Sequence, residues 1–209
     1  MIPKLIHQIW FGPKAPPERY MQTWERRNPG WTYKLWREGD PAIFPLQNQA
    51  RFDWIHTWHL KGDYTRWEIM RKFGGVYVDS DIICLRPLDE LVAKLTKPAF
   101  VVQDGHFTNM QAVGILGFPS QHPLPEAMIQ AQGKIQPKSK TIHGGMLLCH
   151  GLLTKVLPPY AATVQVLPAP LFYRKPFEVV PGNAFTVNCD LGRHDQDPSA
   201  VAIREEWLR

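Results

Sequence analysis

The sequence lacks cysteine pairs and long apolar runs, and these absences exclude several classes of protein. Only three of its 209 residues are cysteines, Cys84, Cys149 and Cys189, and no two of them have the CxxC spacing of a zinc site. We therefore expect the cysteines to be buried like small hydrophobic residues, in a protein of a reducing, cytoplasmic compartment. No apolar run reaches membrane-spanning length, and the first residues are too aromatic and polar for a signal peptide.

Dense basic clusters are also missing, although the net charge is +5. The 24 lysines and arginines are scattered, and the short run KIQPKSK at 134–140 is typical of a solvated loop. A stripe that binds nucleic acid would be denser, so we expect no nucleic-acid partner. The hydrophobic fraction of 44% and the charged fraction of 21% are ordinary for a globular protein with one substantial core.

Aromatic residues are plentiful, and seven of the eight tryptophans lie in the first 67 residues. The segments KLIHQIWFG and WTYKLWR alternate apolar and polar side chains, which predicts strands. The segments PPERYMQTWERRNPG and PLPEAMIQAQGKI begin with prolines and predict helices. The segment GGMLLCHGLLTKVL is expected to begin as a glycine turn and to continue as a helix. Strands that alternate with helices predict an α/β layered domain.

Two aspartates one residue apart interrupt the segment GGVYVDSDIICL. We expect a strand that meets Asp79 and Asp81 and then resumes. Side chains two apart in a strand share a face, so both carboxylates would converge on a hard cation such as Mn²⁺ or Mg²⁺. Like charges this close resist burial without such a positive partner. The alternative, which a DxD pattern alone favours, is a polar turn in which each aspartate bonds to backbone amides.

A helix-like segment precedes this strand and ends at Gly74 and Gly75. Asp63 is predicted at the start of the helix, after Gly62, and Arg66 lies three residues further on the same face. The pair is either a surface ion pair of little energetic value or a grip on neutral sugar hydroxyls. The two glycines would bring this helix close to the strand that carries the DxD.

Three stretches of the sequence are similar to a known family. IPKLIHQIWFGPKAPP, NPGWTYKLW and DYTRWEIMRKFGGVYVDSDIICLRPLDEL closely resemble the glycosyltransferase family with a DxD-containing sugar-binding region. That family includes yeast initiating mannosyltransferases and globotriaosylceramide synthase, and the large clostridial glucosylating toxins are more distant relatives. The resemblance is dense over residues 2–92 and poor beyond residue 175.

The resemblance implies a glycosyltransferase A-type fold, which is an α/β nucleotide-binding sandwich, as a single domain over 1–209. Residues 2–92 would bind donor and metal, and 93–209 would form the acceptor side. Matching residue by residue places Asp79 and Asp81 on the metal and diphosphate motif, Asp63 and Arg66 on the donor-sugar pair and Trp10 on a donor contact. We further expect catalytic roles for Asp63, Arg66 and Asp81 and donor contacts from Gly74, Gly75 and Asp79.

Two positions leave alternatives open. Trp10 ends a predicted strand and falls on an aromatic that stacks against the nucleotide base, but it is nearly as well explained as a core tryptophan. Family members usually end with a His-containing segment whose histidine helps to bind the metal. Arg204 stands there in this chain, so the third ligand is His194, Asn188 or none. Weak or altered metal dependence is one consequence.

These inferences predict a metal-dependent hexosyltransferase that acts on a UDP- or GDP-sugar and a hydroxyl acceptor on a glycan, lipid-linked precursor or protein. The resemblance implies retention of anomeric configuration. One alternative is a non-catalytic nucleotide-sugar- or carbohydrate-binding protein. Another is a nucleotidyltransferase or hydrolase that uses the same aspartates, for which FGPKAPP is a poor phosphate loop. By analogy we expect a bacterial or phage protein in the cytoplasm or at the membrane surface.

Overall fold

The computed structural model describes residues 1–105, 107, 109–135, 142–189 and 203–209, with only the backbone of 142–148. The strands within these residues are β1 (Leu5–Ile9), β2 (Thr32–Trp36), β3 (Gly75–Val78), β4 (Ile82–Cys84), β5 (Ala99–Gln103), β6 (Gln111–Phe118), β7 (Val164–Leu167) and β8 (Thr186–Asn188). The helices are α1 (Glu18–Arg27), α2 (Gln49–Trp54), α3 (Trp58–Phe73), α4 (Leu88–Val92), α5 (Pro123–Lys134) and α6 (Ile142–Val156). Short 3-10 turns follow α6, β7 and the C-terminal Arg204.

Six strands form a central mixed sheet in the order β2-β1-β3-β6-β5-β7, and β4 pairs with β8 in a separate small sheet. The strand β6 runs antiparallel to both β3 and β5, and the remaining pairs are parallel. The carboxyl ends of β1, β2, β3, β5 and β7 therefore meet at one side of the sheet, which we call the carboxyl edge. Ligands gather at such edges in open α/β sheets.

The central sheet is buried on both faces. Tyr77 of β3 packs with Trp67 of α3 in a core that also includes residues of α5 and α6. The neighbouring Val76 and Val78 point the other way, into a core that contains Trp24 of α1 and residues of α4. This alternation is the two-residue period of a strand, and the layers confirm the predicted α/β architecture.

The helix that carries Asp63 begins one turn earlier than the sequence suggested. It starts at Trp58 and runs through Gly62, so Asp63 lies inside the helix, and its expected place at the helix start is wrong. The buried stripe already includes Leu60, which is 3% exposed. Because this extra turn is buried, the helix continues through Gly62. A Cβ added at Gly62 would lie 3.8 Å from the side chain of Ile9, which is an ordinary contact.

The expected continuous strand through the DxD is also wrong. The strand β3 ends at Val78, and the backbone N–H of Ile82 donates to the carbonyl of Asp79 at 3.2 Å, which closes a turn. The chain then enters β4, which leaves the central sheet because it pairs with β8. The glycine turn expected at residues 144 and 145 is likewise wrong, since α6 begins at Ile142 and includes both.

Gly74 and Gly75 join α3 to β3 at the end of the strand opposite to Asp79. Both have positive φ, 64° and 90°, which favours glycine. A Cβ on the first would lie 2.5 Å from the backbone nitrogen of Ser120, and one on the second 2.6 Å from the carbonyl oxygen of Leu5. This turn therefore has no room for side chains.

A buried histidine holds the same turn. His7 Nε2 lies 2.9 Å from the carbonyl oxygen of Gly74, and the indole N–H of Trp36 donates to His7 Nδ1 at 3.1 Å. This pattern requires a neutral ring with its proton on Nε2, because a second ring proton would face the indole N–H. Burial lowers the pKa of His7 to about 4, opposed by the hydrogen bond to Gly74.

The cysteines behave as the sequence predicts, since Cys84, Cys149 and Cys189 are free and buried. Among the described residues, no helix combines the length and the apolar character that crossing a membrane requires.

Candidate active site

A buried charge cluster lies between α3 and the carboxyl edge. The guanidinium of Arg66 bonds to the carboxylate of Asp63, and its Nη1 lies 3.3 Å from Asp79 Oδ1. The same nitrogen donates to the carbonyl of Val113 in β6. The side chains of Arg66 and Asp63 are only 4% and 15% exposed, so a surface ion pair is the wrong description of them.

The cluster depends on one cation that faces two carboxylates. Burial raises the pKa of Asp63, Arg66 opposes that shift, and Asp79 adds to it. Burial would lower the pKa of Arg66, but its acidic surroundings outweigh this and raise it above the ordinary value. The guanidinium also lies 4.5 Å from the ring centroid of Tyr77, in cation–π contact. Arg66 therefore stays charged and directs its Nη1 and Nη2 groups to protein acceptors.

Asp79 is the half-exposed member of the cluster, with 36% of its side chain exposed. Its Oδ1 accepts a hydrogen bond from the Tyr77 hydroxyl at 2.8 Å. Its Oδ2 lies over Gly114, where an added Cβ would come within 2.5 Å of that oxygen. One oxygen is thus oriented by the protein, and no hydrogen bond from the described part of the chain engages the other. A half-exposed carboxylate with one oriented and one unengaged oxygen is a suitable ligand for a hard divalent cation.

Asp81 lies in the turn after Asp79 and not in a strand, so the same-face argument for the two carboxylates does not apply. Its carbonyl accepts from the backbone N–H of Cys189 at 2.9 Å. Asn188 pairs with Ile82 in the small sheet, which brings it beside Asp81. A DxD turn with two half-buried carboxylates fits an oxygen-bound Mg²⁺ or Mn²⁺ whose other ligands are phosphate and water.

In the described ranges, no group of three His, Cys, Asp or Glu residues could hold a metal. His194 falls outside those ranges. Arg204 lies 5.1 Å from the ring centroid of Trp207 and 3.8 Å from Glu206, in the C-terminal segment that packs on α1.

An open recess of about 460 Å³ borders the ends of β1 and β2. It is lined by Trp10, Phe11, Gly12, Pro13, Arg37, Glu38 and Trp58. Trp10 is half-buried, and its indole N–H donates to the carbonyl of Lys14 at 2.7 Å. Trp58 is 41% exposed. Trp10 thus lines the recess and is not among the buried core residues.

The structure brings together some of the predicted residues and not others. Asp63, Arg66 and Asp79 meet in one cluster with Asp81 in the adjoining turn. Gly74 and Gly75 lie at the other end of β3, where their role in the turn accounts for them.

Four neighbouring polar residues escaped the sequence reasoning: Tyr77, Asp104, His150 and Tyr173. Asp104 follows β5 as Asp79 follows β3, and this strand-then-aspartate pattern was the available signal. The Nδ1 of His150 lies 2.6 Å from Asp104 Oδ2. Tyr77 lies in β3, two residues before Asp79, whereas no local pattern marks His150 and Tyr173, because the chain brings them to the edge from separate elements.

Comparison with known proteins identifies the segment that contains the cluster. Residues 17–97 match the family described as "Glycosyltransferase sugar-binding region containing DXD motif". The matched segment includes Asp63, Arg66, Asp79 and Asp81, and the resemblance inferred from the sequence is confirmed.

One relative of the chain is "Inositol phosphoceramide mannosyltransferase 1" of Schizosaccharomyces pombe (strain 972 / ATCC 24843). It is 35% identical over 105 residues, which are 46% of this chain and 33% of the relative. The chain therefore spans about a third of the length of that curated relative.

Two solved structures share the architecture. The "PaToxG Glycosyltransferase" matches with a TM-score of 0.57 and 14% identity over 77% of this chain and 74% of that one. The UDP-bound glycosyltransferase domain from the YGT toxin matches with a TM-score of 0.54 and 8% identity over 79% of each chain. At these identities the likeness shows the fold alone, and it confirms the predicted glycosyltransferase A-type α/β fold.

Proposed function

We propose that the protein is a glycosyltransferase that moves a hexose from a UDP- or GDP-sugar to a hydroxyl acceptor on a glycan, a lipid-linked precursor or a protein. The observation that carries the proposal is the buried Asp63–Arg66–Asp79 cluster at the carboxyl edge of a glycosyltransferase-type sheet. Its half-exposed Asp79 sits beside a DxD turn within the matched family segment.

The donor diphosphate would lie at Asp79 and Asp81, which would hold a divalent cation, Mn²⁺ or Mg²⁺. When bound, such a cation neutralises charge on a departing diphosphate. Asp63 would accept a hydrogen bond from a hydroxyl of the donor sugar. Arg66 would hold both carboxylates in place, because its donors already face Asp63, Asp79 and Val113.

The nucleotide would occupy the recess beside Trp10. The strands β1 and β3 are neighbours in the sheet, so Trp10 and Asp79 follow adjacent strand ends. A base stacked on Trp10 would leave its diphosphate within reach of the DxD turn. The UDP bound in the YGT toxin domain supports a uridine nucleotide by fold analogy alone.

The family resemblance supports retention of anomeric configuration, with attack on the face of the leaving group and assistance from the leaving phosphate. A cytoplasmic location and a bacterial or phage origin belong to the same proposal and rest on analogy.

The direct test measures nucleotide binding and donor turnover with the same protein. Calorimetry with UDP and GDP, each with and without Mn²⁺, identifies the base and the metal dependence. Incubation with UDP-glucose, UDP-galactose, UDP-N-acetylglucosamine and GDP-mannose then reports free UDP or GDP. Binding without release in any incubation would favour a non-catalytic sugar-nucleotide-binding protein. No binding of either nucleotide would overturn the proposal.

The decisive variant is Asp81→Ala, which should reduce Mn²⁺-dependent donor turnover below detection while the melting temperature stays close to wild type. The half-exposed turn position explains the small effect on stability. Asp89→Ala is the matched control, because this aspartate pairs with Lys4 near the start of β1, away from the carboxyl edge. Full turnover in Asp81→Ala would remove this residue from the active site.

A further inference from the structure

A second polar pair lies at the carboxyl edge, outside the charge cluster. His150 of α6 and Asp104 after β5 are 2.6 Å apart between Nδ1 and Oδ2, and their side chains are 14% and 5% exposed. The backbone N–H of Phe107 donates to Asp104 Oδ1 at 2.8 Å. Both carboxylate oxygens of Asp104 are therefore engaged by the protein.

The hydrogen bond to Asp104 selects the atom that His150 presents. A carboxylate on Nδ1 holds the neutral ring with its proton on that nitrogen, which leaves Nε2 as an acceptor. Within the described residues, no hydrogen bond engages Nε2. A neutral acceptor nitrogen held by a buried carboxylate is suited to a hydroxyl group.

The pair is connected to the charge cluster. Tyr173 lies between the pair and the cluster. A Cβ added at Gly105, next to Asp104, would lie 2.9 Å from the Tyr173 Cβ, and a Cβ added at Gly114 would lie 2.9 Å from the Tyr173 hydroxyl. At Gly114 that hydroxyl lies beside Asp79 Oδ2.

The order of strands suggests what the pair binds. Along the carboxyl edge Trp10 follows β1, Asp79 follows β3 and Asp104 follows β5, with β6 between the last two. Two strand spacings separate β3 from β5, which is about 10 Å. If the nucleotide lies at Trp10 and its diphosphate at Asp79, the side beyond the donor sugar is the side of Asp104.

We propose that the Asp104–His150 pair positions the acceptor, with His150 Nε2 accepting a hydrogen bond from an acceptor hydroxyl beside the donor sugar. This inference rests on the proposed glycosyltransferase function. The competing role is purely structural, since the pair also ties the end of β5 to α6.

The test separates acceptor binding from donor binding in the full chain. His150→Gln is compared with wild type in transfer to methyl α-mannopyranoside, α-glucopyranoside and α-galactopyranoside, and in hydrolysis of the donor by water. We expect the acceptor KM to rise about tenfold, because a glutamine amide that donates to Asp104 cannot also place an acceptor where Nε2 lies, so one hydrogen bond is lost. Donor KM and hydrolysis should change less than about twofold, because donor contacts are untouched.

Two further measurements keep the test decisive. Saturation-transfer NMR of the same glycosides with UDP or GDP present reports acceptor binding without turnover, and Asp104→Asn should weaken it as His150→Gln does. His122→Gln is the matched control, because this buried histidine bonds to Thr163 at 3.1 Å and lies just beyond the other end of β6.

The outcomes differ for the two proposals. Equal losses of nucleotide affinity, hydrolysis and transfer, or unchanged glycoside binding in both variants, would overturn the acceptor role and leave the proposed function intact. A wild-type protein that binds neither nucleotide would overturn both.

Discussion

The two ends of β3 differ in what limits their side chains. At the amino end Gly74 and Gly75 have positive φ and lie against backbone atoms. At the carboxyl end Asp79 is half-exposed, and its neighbours Arg66 and Tyr77 contact it through charge and hydrogen bonds. Steric exclusion limits one end and electrostatics the other.

This difference predicts that substitutions at the two ends of this four-residue strand affect different properties, stability at one end and binding at the other. Changes at the amino end should lower the free energy of unfolding and leave binding by the folded protein unchanged. Changes at the carboxyl edge should lower binding at little cost in stability. Arg66 is an exception that should affect both stability and binding, because it is buried like the core residues and also orients the carboxylates of the site.

The largest effect is expected for Arg66→Met. Loss of the buried cation leaves Asp63 and Asp79 without their partner, so the free energy of unfolding should fall by about 3–5 kcal/mol, measured by urea denaturation. Because the pKa of Asp63 is already raised, its folded form binds a proton before the unfolded form does. The variant should therefore regain stability as the pH falls from neutral.

Two companions of that variant sharpen its interpretation. Adding Asp63→Asn to Arg66→Met should restore part of the loss, because one unpaired charge is removed. Arg71→Met, on the same helix but 39% exposed, should change stability by less than about 1 kcal/mol. A similar loss at both arginines would show that burial of the cluster does not matter.

Gly75→Ala should have the next largest effect, a loss of about 2–4 kcal/mol of unfolding free energy, because strain and overlap add. Its φ is 90°, and the new Cβ would lie 2.6 Å from the carbonyl oxygen of Leu5. Gly39→Ala is the control, with φ of 78° and no atom within 4 Å, so strain alone should cost about 1–2 kcal/mol. UDP or GDP affinity of the folded fraction should match wild type, and a selective loss of affinity would put Gly75 in the donor site.

The smallest effect is expected for Trp10→Ala. A base stacked on an aromatic contributes about 1–3 kcal/mol, so UDP or GDP affinity should fall by roughly ten- to a hundredfold. Trp54→Ala, which is 36% exposed and does not line the recess, should leave affinity unchanged. A large drop in melting temperature with unchanged affinity would instead make Trp10 a structural residue, since truncation of a core tryptophan costs about 3–5 kcal/mol of stability.

Local patterns in the sequence predicted the parts of the site that lie close together in the chain. The Asp63–Arg66 spacing, the glycine pair after the helix and the aspartate at the end of a β3-like run are all short-range signals. Local patterns do not predict the conformation of a segment that pairs with a distant part of the chain. The turn at Asp79 and Asp81 exists because β4 pairs with β8, more than a hundred residues later in the chain.

The sequence by itself determined the α/β class, the helix and strand that carry the cluster, and the similarity of residues 17–97 to a known family, because hydrophobic periodicity and motif spacing are local properties. Only the tertiary structure decided that Asp63 and Arg66 are buried, that Gly74 and Gly75 face away from the site, and that Asp104 meets His150. Strand order and helix packing bring such residues together, and both depend on contacts between segments that are distant in the chain.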